Sequence, residues 1–235
     1  MRLIKLALKP DTAAPVLTLA FASGVCLTLV LARIVYTGDV RYAFLIWNLF
    51  LAWLPLVFAL LSAEQYRTVS GWNWRFPGLA GAWLLFFPNA PYIFTDLIHL
   101  TRGYAPHFWV DMVLILSCAL TGLVLGFLSL FLMQRVVRRV LGWTASWLFI
   151  AMVAGLSGFA ICLGRFQRFN SWDVLAKPFA LSRSIGRWAV EPFAHPSAIA
   201  LPALFATFLF IAYVMLYALT FLPRLHPIAV RQSSK

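Results

Sequence analysis

The sequence predicts an all-α fold, a polytopic transmembrane helix bundle of about six spans that forms a single domain over residues 1–235. Three observations carry that reading. Of the 235 residues 63% are hydrophobic and only 11% charged, where an ordinary soluble domain is roughly half apolar and about a quarter charged. Six stretches, 12–32, 42–63, 76–95, 112–134, 140–164 and 192–223, contain no Asp, Glu, Lys or Arg. They total 143 residues, so all 26 charges fall in the other 92. Each is as long as the about 20 apolar residues that a helix needs to cross the hydrocarbon core. A closed β-barrel would instead show short alternating segments, whereas these runs are apolar on every side and rich in Leu and Ala.

The spans are expected near 14–33, 43–63, 78–100, 109–133, 143–164 and 198–222. Arg2, Lys5 and Lys9 precede the first run, and Ala20-Phe21-Ala22 resembles the cleavage site of a secretory signal. The run continues through Val25, Leu27, Leu29, Val30 and Leu31, so an uncleaved first helix is expected. In the second span Asn48 is placed to make an interhelical hydrogen bond, worth about 0.6–2 kcal/mol, and Pro55 predicts a kink. Gly122 and Gly126 in the fourth span, and Gly155 and Gly158 in the fifth, are small residues that let helix backbones approach closely. Short connections make neighbouring helices antiparallel. Residues 165–197 interleave Arg165, Arg168, Lys177, Arg183 and Arg187 with Phe166, Phe169, Trp172, Phe179 and Trp188. That mixture predicts interfacial helix between spans five and six, divided by Pro178.

With a cytoplasmic N-terminus, 11 basic residues fall in inside segments and 8 in outside ones, which favours N-in and C-in. The net charge of +12 is then explained by Lys and Arg flanking spans and meeting anionic headgroups, and nucleic-acid binding, for which no motif is present, is excluded as the function class. The partner implied is the bilayer itself; a homo-oligomer or a membrane-protein partner is compatible with the small-residue faces. Cys26, Cys118 and Cys162 all lie in apolar runs without metal-ligand spacing and read as small buried hydrophobes. No cofactor motif is present. Even span parity brings the connections 1–2, 3–4 and 5–6 to one side, and with them Asp39, Arg41, Asp96, His99, Arg102, His107, Asp111, Arg165, Arg168, Asn170 and Asp173.

The third span, Trp83–Leu100, is the most informative. Pro88 and Pro91 flank Asn89-Ala90 inside an apolar run; each removes a backbone donor and disfavours helix in the residue before it. The span is therefore expected to break at Pro88–Pro91, with Asn89 capping the second half. Two readings stand: a proline kink satisfied by neighbouring helices, or a half-helix end lining a polar cavity. Asp96 and His99, three apart, share a face, and Asp111 begins the next span. They are candidate catalytic residues, as an acid–base set, or members of structural ion pairs with Arg102 or Arg165. A metal site from Asp96, His99, His107 and Asp111 lacks any recognised spacing, so no metal is assigned. Asn89, Arg165, Arg168, Asn170, Trp172 and Asp173 are the candidate binding residues, with Asp173 also suited to helix capping. Ser171 has no GxSxG-type context for a nucleophile.

Three blocks, Asn48–Leu61, Trp83–Leu100 and Gly164–Leu175, resemble in order and spacing the hallmark segments of the bacterial membrane proteins called domain of unknown function 1361. The likeness covers roughly residues 30–220, and Phe169 stands where a Trp is expected. The resemblance implies a multi-pass protein of the bacterial inner membrane and implies no activity. Two kinds of function remain. One is a pocket near one membrane face that binds or transports a lipid headgroup or small solute, or a scaffold whose polar residues only order helices. The other is an intramembrane enzyme acting on lipid or envelope precursors through His99 with Asp96 or Asp111. An enzyme predicts Asp96, His99 and Asp111 converging in a water-accessible cavity, a transporter predicts a pocket reaching the membrane midplane around Asn89, and a scaffold predicts tight ion pairs with no cavity. Asn89 is expected at a polar cavity and Arg165 beside Asp96 or Asp111.

Overall fold

The computed structural model describes residues 6–7, 10–68, 74–101, 107–190 and 197–220. Among them every regular element is helical, and none is a strand. Charge-free runs of this length offer few polar side chains, and a helix pairs their backbone N–H and C=O groups internally. The elements are α1 (Pro10–Thr37), α2 (Phe44–Thr68), α3 (Arg75–Phe86), the single turn α4 (Asn89–Tyr92) and a 3-10 helix over Ile93–Thr101. They continue as α5 (Phe108–Gln167), the turn α6 (Asp173–Ala176), α7 (Pro178–Val190) and α8 (Ser197–Leu219). Four of them, α1, α2, α5 and α8, are long and apolar enough to cross a membrane. Hydroxyls inside these helices bond back to the preceding turn, as Ser23 does to the Leu19 carbonyl and Thr121 to that of Ser117, both at 2.8 Å.

As one straight rod, α5 would run about 90 Å, three times the thickness of a bilayer core. It does not. Gly142 has φ 88° and ψ −178°, a conformation open to glycine and strained for any other residue. There the helix folds back into two arms, 108–141 and 143–167. Trp83 documents the reversal: its indole N–H donates to Ser129 Oγ at 3.1 Å, while its ring stacks on Phe149 at 5.7 Å. Tyr213 of α8 likewise meets Phe127 on one arm and Trp147 on the other. The core of the molecule runs between these arms, α2 and α3, and holds Trp83, Phe87, Leu45, Leu56, Ile115 and Ile150.

The third apolar run is interrupted, though not by an unwound loop. α3 ends at Phe86, yet Phe87 (φ −54°, ψ −42°) and Pro88 (φ −60°, ψ −22°) keep helical dihedrals. What breaks is the hydrogen-bond ladder. Neither proline has an N–H to give, and the Ala90 N–H reaches only three residues back, to the Phe87 carbonyl at 3.1 Å. Beyond Tyr92 the chain tightens into nine residues of 3-10 helix, long for that geometry. Asn89 does not cap the second half as expected; Pro88 holds the N-cap position and no side chain caps the turn. Pro55 sits within α2, which continues through it as α-helix.

Small residues admit the interrupted stretch. A Cβ on Gly122 would lie 2.8 Å from the Ala90 carbonyl oxygen, and one on Gly126 would lie 2.9 Å from Ala90 Cβ. The GxxxG spacing thus serves packing within the chain. Of the other small pair, Gly158 is pressed against the Pro202 carbonyl of α8, while Gly155 faces nothing within 4 Å. After α5, Pro178 opens α7 as its first residue. Trp188 on Phe159 at 4.7 Å, and a hydrogen bond from Ser184 to Gln167, tie α7 to the second arm of α5. Phe179, Ile185, Arg183 and Arg187 face outward on it. Arg102, and the connections 69–73 and 191–196, lie outside the described residues.

Candidate functional site

Three separated stretches meet around a cavity of about 380 Å³. The start of α2 brings Phe44, Trp47, Asn48 and Leu51; the interrupted stretch brings Pro88, Asn89, Tyr92, Asp96 and His99. The end of α5 and the turn after it bring Ala160, Gly164, Arg165, Arg168, Asn170 and Ser171.

One wall is built on a buried acid. Asp96 is 1% exposed, and a carboxylate so placed is tolerable only with its lone pairs filled. Asn48 Nδ2 donates to its Oδ2 at 2.8 Å, and Arg165 Nη1 to its Oδ1 at 3.3 Å. Asp96 and His99 are three residues apart on a helix with three residues per turn, so their side chains stack one above the other. His99 Nε2 lies 3.9 Å from Asp96 Oδ1 and 3.4 Å from Arg165 Nη2. A guanidinium has donors only. The Arg165 contact therefore makes Nε2 the acceptor and puts the ring proton of a neutral His99 on Nδ1. Phe44, with its ring 5.0 Å from the imidazole, holds the ring in place.

Another part of the lining repairs the proline break. The Phe86 carbonyl, whose helical partner at Ala90 bonds elsewhere, accepts from Asn89 Nδ2 at 3.0 Å. The same amide nitrogen donates to Ser171 Oγ at 2.8 Å, and Ser171 in turn donates to the Leu85 carbonyl at 3.0 Å. Both amide protons of Asn89 are thereby used. Its Oδ1 makes no hydrogen bond among the described residues. Ser171, with its proton committed to a backbone carbonyl, is a structural partner of Asn89.

The turn that carries Ser171 is shaped by its neighbours. Arg168 ends α5 in the left-handed region at φ 59°, a conformation that costs a non-glycine residue about 1–3 kcal/mol. The N–H of Phe169 then reaches back to the Leu163 carbonyl at 3.4 Å. Asp173, buried, accepts the Asn170 N–H at 2.8 Å and lies 3.7 Å from Lys177 Nζ. The acid thereby closes the turn before α6; the N-cap position of α6 itself is Trp172, which has no side-chain cap. The strained Arg168 side chain is left exposed at the cavity rim.

A family model described as "Protein of unknown function (DUF1361)" matches residues 47–215. The chain belongs to the DUF1361 family. No curated protein and no solved structure matches it. All three DUF1361 blocks read from the sequence contribute to the cavity: Asn48 from the first, Asn89, Asp96 and His99 from the second, Arg165, Arg168, Asn170 and Ser171 from the third.

The DUF1361 cavity gathers most of the sequence-derived candidates and leaves some outside. Trp172 and Asp173 do not line it. Asp111 does not either, and the expected acid set of Asp96, His99 and Asp111 is therefore not one site. Asp111 is held by Arg33, Nε to Oδ1 at 2.6 Å and Nη2 to Oδ2 at 3.2 Å. Arg33 also donates to the Thr37 hydroxyl and lies 5.7 Å above the Tyr42 ring. Burial, with the Asp111 carboxylate nearby, raises the Tyr42 phenol above its usual range. His107 packs edge-on to Tyr36 at 5.6 Å. Arg33 orders Asp111 outside this cavity, a role that a single charge near the end of an apolar run does not reveal; the signal in the sequence is that the run stays apolar after it, through Ile34, Val35 and Tyr36. No group of three or more His, Cys, Asp or Glu is placed to hold a metal ion among the described residues.

Proposed function

We propose that this chain is a six-span protein of the bacterial inner membrane, with both ends cytoplasmic, that binds a phosphate-bearing lipid headgroup in the cavity around Asp96 and Asn89. The fold-back at Gly142 supports six spans: it turns α5 into two membrane-length arms, and the interrupted stretch supplies the remaining rod beside α1, α2 and α8. The positive-inside count of 11 against 8 supports the orientation.

The observation that carries the headgroup reading is the mixed lining of the cavity. Asn48, Asp96, His99, Arg165 and Arg168 bring polar and charged side chains, and Trp47, Leu51, Ala160 and Leu181 bring apolar ones. Trp47 is 54% exposed, an apolar surface beside the cavity suited to acyl chains. A volume of about 380 Å³ suits a headgroup, being at the lower end of the about 300–1,000 Å³ of small-molecule sites. Arg168, exposed and without an ion pair among the described residues, is the cation available to the phosphate; Arg165 is committed to Asp96.

The test is lipid co-purification. Native mass spectrometry of the full chain should show retained phospholipid that Arg168→Gln loses while it keeps its melting temperature above that of an Asp96→Ala control. Retention unchanged in Arg168→Gln would remove the reading. A second reading, acid–base chemistry on a bound lipid or envelope precursor, is favoured by the Asp96–His99–Arg165 contact alone. It requires that a deletion strain accumulate a precursor that the wild-type gene clears and His99→Ala does not.

A further inference from the structure

A second cavity, of about 300 Å³, lies at the other end of the bundle. Asn48 and Arg67 both belong to α2, and at 1.5 Å per residue about 28 Å of helix separates the two sites. Arg67 comes from the last turn of α2; Arg135 and Arg139 come from the first arm of α5, just before it folds back at Gly142. Leu60, Leu132 and Val136 form the inner, apolar surface.

The three guanidiniums are exposed, and none has an ion pair among the described residues. One carboxylate, Glu64, also lines the cavity, which leaves the charge strongly positive. Arg135 and Arg139 are one helical turn apart, where like charges repel, and Arg135 is steadied 5.9 Å over the Phe131 ring. The positive-inside tendency accounts for arginines at a span end. It does not account for two helices aiming three of them at one cavity with an oily inner surface. An arginine fork matches phosphate oxygens in geometry as well as charge.

We propose that this cavity binds a phosphate group, carried by an anionic phospholipid or free in solution. The ligand's charge would relieve the repulsion between Arg135 and Arg139, and the acyl glycerol of a lipid would rest on Leu60 and Leu132. This site shares no residue with the cavity at Asp96, and its fate is independent of that one.

The experiment uses the full chain in nanodiscs of phosphatidylcholine containing a minor fraction of phosphatidylglycerol, with retained lipids counted by native mass spectrometry after gentle stripping. The wild type should retain phosphatidylglycerol over phosphatidylcholine. Arg135→Gln with Arg139→Gln should lower that preference about tenfold, the scale of losing charge-assisted hydrogen bonds. Arg138→Gln, which removes the same charge from a residue bonded instead to the Tyr217 hydroxyl, should leave it intact. Added inorganic phosphate separates the sources: displacement of the lipid shows that free phosphate occupies the site, and persistence of the lipid assigns it to the membrane. Equal retention of both lipids by the wild type, or an equal loss with Arg138→Gln, would overturn the proposal. The arginines are exposed, so the variants leave no buried charge unpaired and remain folded for the comparison.

Discussion

Arg33 and Asp111 form a two-pronged ion pair that fastens α1 to the first arm of α5. Their side chains are 9% and 1% exposed, so neither partner can turn to water when the other is removed. Arg33→Ala or Asp111→Ala alone should destabilise the fold by about 3–5 kcal/mol, because each strands a buried charge. The pair Arg33→Met with Asp111→Leu should recover most of that loss. Thermal unfolding in detergent measures both; a double variant as unstable as the singles would contradict the argument.

Asn89 and Ser171 should act as one unit. Asn89→Ala leaves the Phe86 carbonyl without its partner, a loss of about 1–3 kcal/mol for a buried acceptor. Once Asn89 is gone, Ser171→Ala should cost less than it does in the wild type, since one of its hydrogen bonds has already been lost. A double-mutant cycle on unfolding free energy reads the coupling. Strict additivity would mean that the two side chains repair the proline break independently.

The close approach at Gly122 and Gly126 sets a size limit. Gly126→Leu should push the first arm of α5 off Ala90 and cost about 1–3 kcal/mol, in the range of overpacked cores. Gly155→Ala, at a glycine with nothing within 4 Å, should be neutral. A Gly155 variant as damaged as the Gly126 variant would show that helix flexibility, and not contact, is what these glycines supply.

Gly142→Ala should cost about 1–3 kcal/mol from the strained dihedral alone, with the two arms still paired through Trp83 and Tyr213. Gly142→Pro should do worse, since proline holds φ near −65° and the turn needs φ 88°. Cysteines placed at Phe127 and Trp147 and joined by a bifunctional reagent report whether the arms stay side by side. Efficient cross-linking in Gly142→Pro would mean that the reversal does not depend on this dihedral.

How far the structure was legible in the sequence can be argued residue by residue. The apolar runs announce themselves because charge is excluded over lengths set by a bilayer, and that pattern survives without any knowledge of partners. Pro88 and Pro91 also show directly, since a missing N–H is a covalent fact. What replaces that N–H is a long-range matter. Ser171 stands 82 residues from Asn89, and no local pattern links them. The same holds for acid partners: Arg165 was expected beside Asp96 or Asp111, and only the packing of α2 through Asn48 decides for Asp96. The Arg33–Asp111 pair is not legible either, because one charge at the end of an apolar run looks the same whether it faces water or Asp111. The 3-10 stretch after Tyr92 was hidden too, because Ile93–Thr101 has an ordinary helical composition.

The joint at Gly142 has a consequence for register. A hinge of one residue leaves no slack between the arms, so an insertion or deletion in either arm beside it would slide that arm past its contacts with Trp83 and Tyr213.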